Sequence, residues 1–316
     1  MIINVPKQFH KNTIIEFLGK SESVFELKGK RAPDTVLNCE NITKMDMLGV
    51  LLIYKFLEFA VTNKCYKNPQ IIVGEESSAF RQAIKDYGFE ELIFKFINNK
   101  VPLSKDYSEL EILSDDKFII APHALLREGD YSSQSLQNIF LPGIEKYYSE
   151  NPKTVRMIFT FLGEIVLNFW EHAVDDSKSI IVAKGNHDLL EIACADTGSG
   201  IFTSLSNFVN EKHRQKDKIL LKAIEQGTTS KKGTAHMGYG LWILNELIKL
   251  VNGSFHIYSQ GGYYINEYRK IRNNKCGYWQ GTIIYLSIPL KNPKNLTDIP
   301  MHEKNQQFKK LQLNFS

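Results

Sequence analysis

The chain has 316 residues, 43% hydrophobic and 23% charged, the balance of an ordinary globular protein of roughly two domains. Its net charge of +4 is small for this length and neither demands nor excludes a nucleic-acid partner, although no dedicated basic face stands out. The four cysteines, Cys39, Cys65, Cys194 and Cys276, form no CxxC pair and no zinc spacing, so reduced thiols in a cytoplasmic protein are expected. The opening stretch MIINVPKQFHKN has no apolar signal core.

In chain order, TIIEFLG and SVFELKG, between Thr13 and Lys30, read as short strands around a turn, and TVLNCENI (Thr35 to Ile42) as another strand. MDMLGVLLIYKFLEFAVTNK follows with apolar residues at 48, 51, 52, 56 and 59/60, the period of a helix. Lys55 and Glu58 interrupt its apolar run, Met47 to Val61, which marks a core helix rather than a membrane span. PQIIVG (Pro69 to Gly74) reads as a short buried strand, and SSAFRQAIKDYG as a helix capped by Ser77 or Ser78 and stopped by Gly88. Strands alternating with helices argue for a small α/β unit, a generic βαβ domain in its plainest form.

This order is similar to that of a STAS domain, the fold of anti-sigma-factor antagonists, over roughly residues 20 to 98. Asp46-Met47-Leu48-Gly49 stands at the family's Asp-Ser-Ser-Gly turn, but Leu48 occupies the place of the phosphorylated Ser or Thr. The resemblance therefore implies a docking module for a protein partner, not phosphorylated at that position.

Periodicity fades between residues 100 and 132, which places a domain boundary near 105 to 120, with FIIAP as the first strand beyond it. The expected division is 1–110 for the first domain, 111–292 for the second and 293–316 for a polar tail. Ser133 to Tyr148 and Lys153 to Val174 read as two helices, with Pro152 suited to the first turn of the second. From Ser179 the period changes to two, giving the strands SIIVAKG and LLEIACA around the turn NHD. A polar, lysine-bearing segment from about Phe202 to His236 precedes a helix opening at Gly238-Tyr239-Gly240-Leu241 and running through Val251. Strands follow at SFHIYSQ, GYYINEYR and GTIIYLSIPL.

Three polar clusters stand out in the second half. Glu164, Asn168, Glu171 and His172 fall on one stripe of the helix FLGEIVLNFWEHA, lining a pocket or facing water. Asp196-Thr197-Gly198-Ser199-Gly200-Ile201 ends a strand, offering a carboxylate acceptor beside glycines that admit close backbone approach. Gly238 and Gly240 open a helix whose N-terminal N–H groups suit phosphate. Glu164 lies one turn before Asn168, where a carboxylate can orient or deprotonate an attacking water or hydroxyl.

In this order, with two strands between the first and second clusters, the pattern closely resembles the GHKL ATP-binding fold of gyrase, heat-shock chaperones, mismatch-repair ATPases, histidine kinases and anti-sigma serine kinases, over roughly residues 125 to 290. The resemblance implies a two-layer α/β domain, a mixed sheet covered by helices on one face, binding ATP and Mg²⁺. It implies Asp196 as adenine anchor, Asn168 as magnesium ligand and Glu164 as catalytic base. Gly198, Gly200, Ile201, Gly238, Gly240, Leu241 and Thr282 complete the nucleotide-binding set. The segment before Gly238 resembles the family's lid; in it GTTSKKG, with Thr229 and Lys231, is the candidate for phosphate contact, whereas Lys212 to Lys222 read better as a solvated surface. His172 contacts the nucleotide or sits in the core behind it. Glu171 stands where the family's kinases commonly carry Lys or Arg. The expected function is a regulatory ATPase whose lid controls partner docking, the alternative an anti-sigma-type protein serine/threonine kinase; a homodimer through the nucleotide domain is a further implication.

Overall fold

The computed structural model describes residues 1–26, 34–62, 69–103, 106–107, 111–114, 117–126, 136–172, 178–209, 215–229 and 238–300, with the backbone alone at 111–114, 126, 170–172 and 178. The N-terminal part contains β1 (Ile2–Asn4), β2 (Gln8–Phe9), α1 (Ile14–Glu26), β3 (Val36–Asn38), β4 (Lys44–Met45), α2 (Met47–Thr62), β5 (Gln70–Ile72), α3 (Ala79–Asp86) and α4 (Glu90–Ile97). Strands β1, β3 and β5 form a parallel sheet in that order, and β2 pairs in parallel with β4.

Two expectations are corrected here. The span Thr13 to Lys30, read as two strands, contains helix α1 instead. Ile14, Phe17, Leu18, Ser21, Val24 and Phe25 are all buried, and their spacing of three or four makes one helical stripe out of what looked like alternation. Strand β5, read as buried, is an edge strand that leaves Ile72 exposed. Strand β3 and helices α2 and α3 fall within the stretches read for them, whereas β1, β2, β4 and α4 were not read from the sequence. Ser78 caps α3, its hydroxyl accepting the Arg81 N–H, and Gly88 follows with positive φ. Helix α2 is buried around most of its circumference. The Asp46 carboxylate accepts N–H bonds from Gly49 and Lys11, both 2.8 Å, and ties the start of α2 to the loop before α1. Leu48 is fully buried, so the Asp-x-x-Gly turn presents no acceptor hydroxyl.

The second part contains β6 (Glu111–Ser114), β7 (Lys117–Leu126), a π turn at Leu136–Phe140, α5 (Leu141–Tyr147), α6 (Pro152–His172), β8 (Lys178–Gly185), β9 (Leu189–Ala195), α7 (Gly200–Leu205), α8 (Lys216–Ala223), α9 (Gly240–Val251), β10 (Ser254–Ser259), β11 (Gly262–Glu267), β12 (Lys270–Lys275), β13 (Thr282–Pro289) and a 3₁₀ turn at Leu296–Asp298. Its strands form one eight-stranded sheet in the order β12-β11-β10-β13-β9-β8-β7-β6. Every neighbouring pair is antiparallel, so the expected mixed sheet is not found.

Nor is the sheet covered on one face only. Ile181, Ala183, Ile192, Cys194 and Leu286 point into a core shared with α6 and α9. Their neighbours Ile180, Val182, Ala193, Ala195 and Tyr285 point into the core of α1 and α2, and α2 packs directly on β8 and β9. Strands buried on both faces carry apolar side chains at consecutive positions, as SIIVA and LLEIACA do. The result is an α/β protein of three layers, in which the N-terminal unit supplies the third.

Three smaller corrections follow. Strand β12, KIRNNK, has no apolar alternation, and its hairpin turns through Tyr268 and Arg269, both at positive φ without glycine or asparagine. The lysine-bearing segment is partly core: Ile219, Leu220 and Ala223 of α8 are buried, and α8 packs on β11 and β12. In the tail, Leu296 and Ile299 are buried against the α6 side of the sheet, so the fold continues past 293; residues 301–316 lie outside the described set. No helix among the described residues is long and apolar enough to cross a membrane. Cys39, Cys194 and Cys276 are free thiols, the first two buried; Cys65 lies outside the described residues.

Candidate functional site

Helix α6 starts where Asn151 accepts the Thr154 N–H on its side chain (3.1 Å) and the Val155 N–H on its carbonyl (3.1 Å). Pro152, which lacks an N–H, fits the first turn. Ile158, Phe161, Leu162, Ile165, Val166 and Phe169 bury one side of the helix. Glu164 and Asn168 sit half-buried at its flank, one turn apart, and the Asn168 Nδ2 donates to the Glu164 carbonyl at 2.6 Å. That bond commits the amide nitrogen to the helix and leaves Oδ1 as the atom able to meet a cation.

Helix α9 buries Ile243, Leu244, Leu247 and Ile248 and packs against α6. Its cap residue, Tyr239, makes no side-chain capping bond. Gly240, the first helical residue, faces the carboxylate and amide of α6. A Cβ there would lie 2.6 Å from Glu164 Oε2 and 3.0 Å from Asn168 Nδ2. The structure thus brings the first and third sequence clusters into contact across a missing side chain. Gly238, at φ 71°, lies against the Thr228 carbonyl and accepts the Gly227 N–H (3.1 Å), which ties residues 227–229, and so Thr229, to the start of α9. Leu241 packs on the core edge below.

The second cluster is built from inside the sheet. Asp196 is 2% exposed. Its carboxylate accepts the Gly198 N–H (2.7 Å) and the Thr282 N–H (3.2 Å), while its own N–H donates to the Thr282 carbonyl (3.0 Å). Gly200, at φ 72°, opens α7 with the Gln260 side chain where its own would be. The Ile201 N–H donates to Ser259 Oγ (2.9 Å), and the Ser259 hydroxyl donates to the Gly281 carbonyl (2.8 Å). Gly200 therefore has a local architectural reason for its identity, besides the role expected of it, whereas the Ile201 bond runs through its backbone. Helix α7 packs on α6 and on β10, which joins the Asp196 loop to the helix bearing Glu164 and Asn168.

Some expected residues are not reached. The side chains of Glu171 and His172, and Lys212, Arg214, Lys231 and Lys232 entirely, lie outside the described residues. Lys222 pairs with Glu225 on the surface (2.5 Å), in keeping with a solvated face. Sequence reasoning missed four residues that hold the Asp196 loop: Ser259, Gln260, Trp279 and Gln280. The Trp279 Nε1 donates to the Asp196 carbonyl (2.7 Å), and the Gln280 Nε2 to the Thr197 carbonyl (2.8 Å). Trp279 and Gln280 had adjacency to Gly281-Thr282 as their only signal, and Ser259 and Gln260 had none. Among the described residues no cluster of three or more His, Cys, Asp or Glu could hold a metal; an Asn with phosphate oxygens is a different kind of donor set. No family model, curated protein or solved structure matches the chain.

Proposed function

We propose that the chain binds Mg-ATP between α6, the Asp196 loop and the start of α9, and hydrolyses it, the occupied state altering how a protein partner docks. The reading rests on the motif order that resembles the GHKL fold. The observation that carries it is the Gly240 contact: a helix start without a side-chain cap stands directly against Glu164 and Asn168, at a position where any Cβ would collide with them. Main-chain N–H groups at such an end suit phosphate oxygens. Asp196 is held by two backbone N–H bonds in an orientation fixed before any ligand arrives, as recognition of an adenine amino group needs. Glu164 supplies the base, positioning water for attack on the terminal phosphate. Asn168 Oδ1 would hold Mg²⁺ together with phosphate oxygens, and the ion would neutralise phosphate charge.

Calorimetric titration of Mg-ATP tests the site. The wild type is expected to bind, and Asp196→Asn to lose about 100-fold in affinity, the loss of one charge-assisted hydrogen bond with the amide's N–H set against backbone donors. Unchanged affinity removes the adenine assignment. ATP labelled at the γ-phosphate then separates the reactions: label released as free phosphate is expected, and label retained on a protein selects the kinase alternative.

A further inference from the structure

We infer that Trp279 is a positioning residue through which the N-terminal unit holds the Asp196 loop, so that seating of α1 on residues 276–281 sets affinity for the nucleotide; this rests on the ATP reading above. Trp279 is fully buried at the boundary between the two halves of the chain. Its indole N–H donates to the carbonyl of Asp196 itself. Its ring packs on Phe25 of α1, centroids 4.9 Å apart, and Phe25 in turn packs on Phe59 of α2 at 4.7 Å. Two residues earlier the chain runs against the backbone of α1, since a Cβ on Gly277 would collide with the Leu18 carbonyl. One residue later, Gln280 bonds the Thr197 carbonyl. The Trp279 carbonyl accepts the Gln260 N–H (2.9 Å), and the Gln260 side chain brackets Thr203 of α7, accepting its N–H (2.8 Å) and donating to its hydroxyl (2.7 Å).

Residues 276–281 are therefore a splint. One side is moulded to α1, the other is bonded to two consecutive carbonyls of the Asp196 loop. A displacement of α1 cannot leave the splint in place, because glycine-to-backbone contact and ring packing leave no slack. Coupling of this kind is reciprocal: whatever loosens the seating of α1 on residues 276–281 weakens nucleotide binding, and nucleotide binding tightens that seating by the same factor. A partner that grips the N-terminal unit thus has a route to the site that touches none of its residues.

The experiment combines hydrogen exchange with three variants of the full chain. In the wild type, amides of residues 14–26 are expected to exchange more slowly when Mg-ATP is added. Trp279→Phe keeps the ring and removes the N–H; Phe25→Leu acts from the other side. Each is expected to weaken Mg-ATP about fivefold or more, at the lower end of ordinary allosteric coupling, and to abolish the exchange response. Phe17→Leu is the control, because Phe17 packs on Phe9 and Phe56 rather than on Trp279. It should lower the melting temperature comparably with affinity unchanged. Exchange in α1 that ignores nucleotide overturns the inference even if the variants fail to fold, and so does a Phe17→Leu loss of affinity equal to the others, which would mean general loosening. A wild type that binds no Mg-ATP overturns the ATP reading and this inference with it.

Discussion

The polar groups on the two sides of the eight-stranded sheet differ in what they meet. On the face toward the N-terminal unit, polar side chains close on one another. Glu267 takes Arg272 at 2.7 Å, His256 at 3.2 Å and Lys11 at 3.4 Å, while the Tyr258 hydroxyl reaches the Lys11 carbonyl and the Tyr285 hydroxyl bonds Glu191. On the opposite side Asn245 likewise accepts from Tyr264 (2.8 Å) and Asn266 (2.9 Å), but Glu164 and Asn168 of α6 stand beside a glycine. A saturated network fixes architecture, because partly satisfied buried groups are costly. A polar pair packed against a glycine instead puts a carboxylate and an amide within direct reach of a helix start. Neither reading comes from polarity alone; it comes from what fills the adjoining space.

Four results would break or sharpen this contrast. The largest effect is expected at the base. Glu164→Gln should retain Mg-ATP affinity and lose phosphate release by about 10²- to 10⁴-fold, the range for general-base removal; equal release rates would end that assignment. Next comes cooperativity across the sheet. Phe161→Ala on one face and Phe56→Ala on the other should each cost about 3–5 kcal/mol. Because both faces share one set of strands, calorimetry should show each variant lowering the same unfolding transition. Two transitions, with Phe56→Ala moving only one, would mean that the layers are separable.

Two glycines offer a sharper test of the faces. Gly49→Ala would place a Cβ 2.7 Å from the Phe9 carbonyl, deep in the N-terminal unit. It should cost about 1–3 kcal/mol of stability by overpacking. Gly240→Ala meets side-chain ends instead, and should cost about 1–3 kcal/mol in Mg-ATP binding with little change in melting temperature. Equal profiles for the two would erase the distinction between packing glycine and site glycine.

The smallest effect concerns pH. The His256 hydrogen bond, aided by Lys11, pulls the Glu267 carboxyl from 4.5 down to about 2. Burial pushes His256 below its ordinary 6.5, so in the fold it takes up its proton at lower pH than in the unfolded chain. In both cases the native state binds fewer protons than the unfolded chain over the affected window, so stability falls as pH falls. The loss begins below 6.5 through His256 and continues between 4.5 and about 2 through Glu267. Glu267→Gln should flatten the lower part of that acid limb in denaturant melts recorded at successive pH values; an unaltered slope would mean that the cluster contributes nothing to acid sensitivity.

Much of this was legible in the residues. Helix α6 announced itself by burial spacing, and Gly238-x-Gly240 by its place before an apolar run. The ends of β9 and α9 fall where the motifs put them. What could not be read has a common cause. Alternation in TIIEFLG and SVFELKG is compatible with a period of two until one knows that a second surface waits for Ile14, Phe17 and Leu18. The period of two read into β8 and β9 missed that consecutive apolar residues there are buried on both faces, and that residues from the first 100 supply the cover. Strand β12 carries a single apolar residue, the exposed Ile271, because an edge strand needs few. Trp279 is one aromatic among many until its indole is seen to meet Asp196.

That edge strand carries a consequence for solubility. A long antiparallel sheet ending in a bare strand invites a neighbouring molecule to add its own, and growth then has no natural stop. Here the terminal strand presents Lys270, Arg272 and Lys275, just beyond Arg269 at the hairpin tip, so approach of an identical edge sets like charges face to face. The same six residues that hid the strand from pattern reading act as its guard against runaway association.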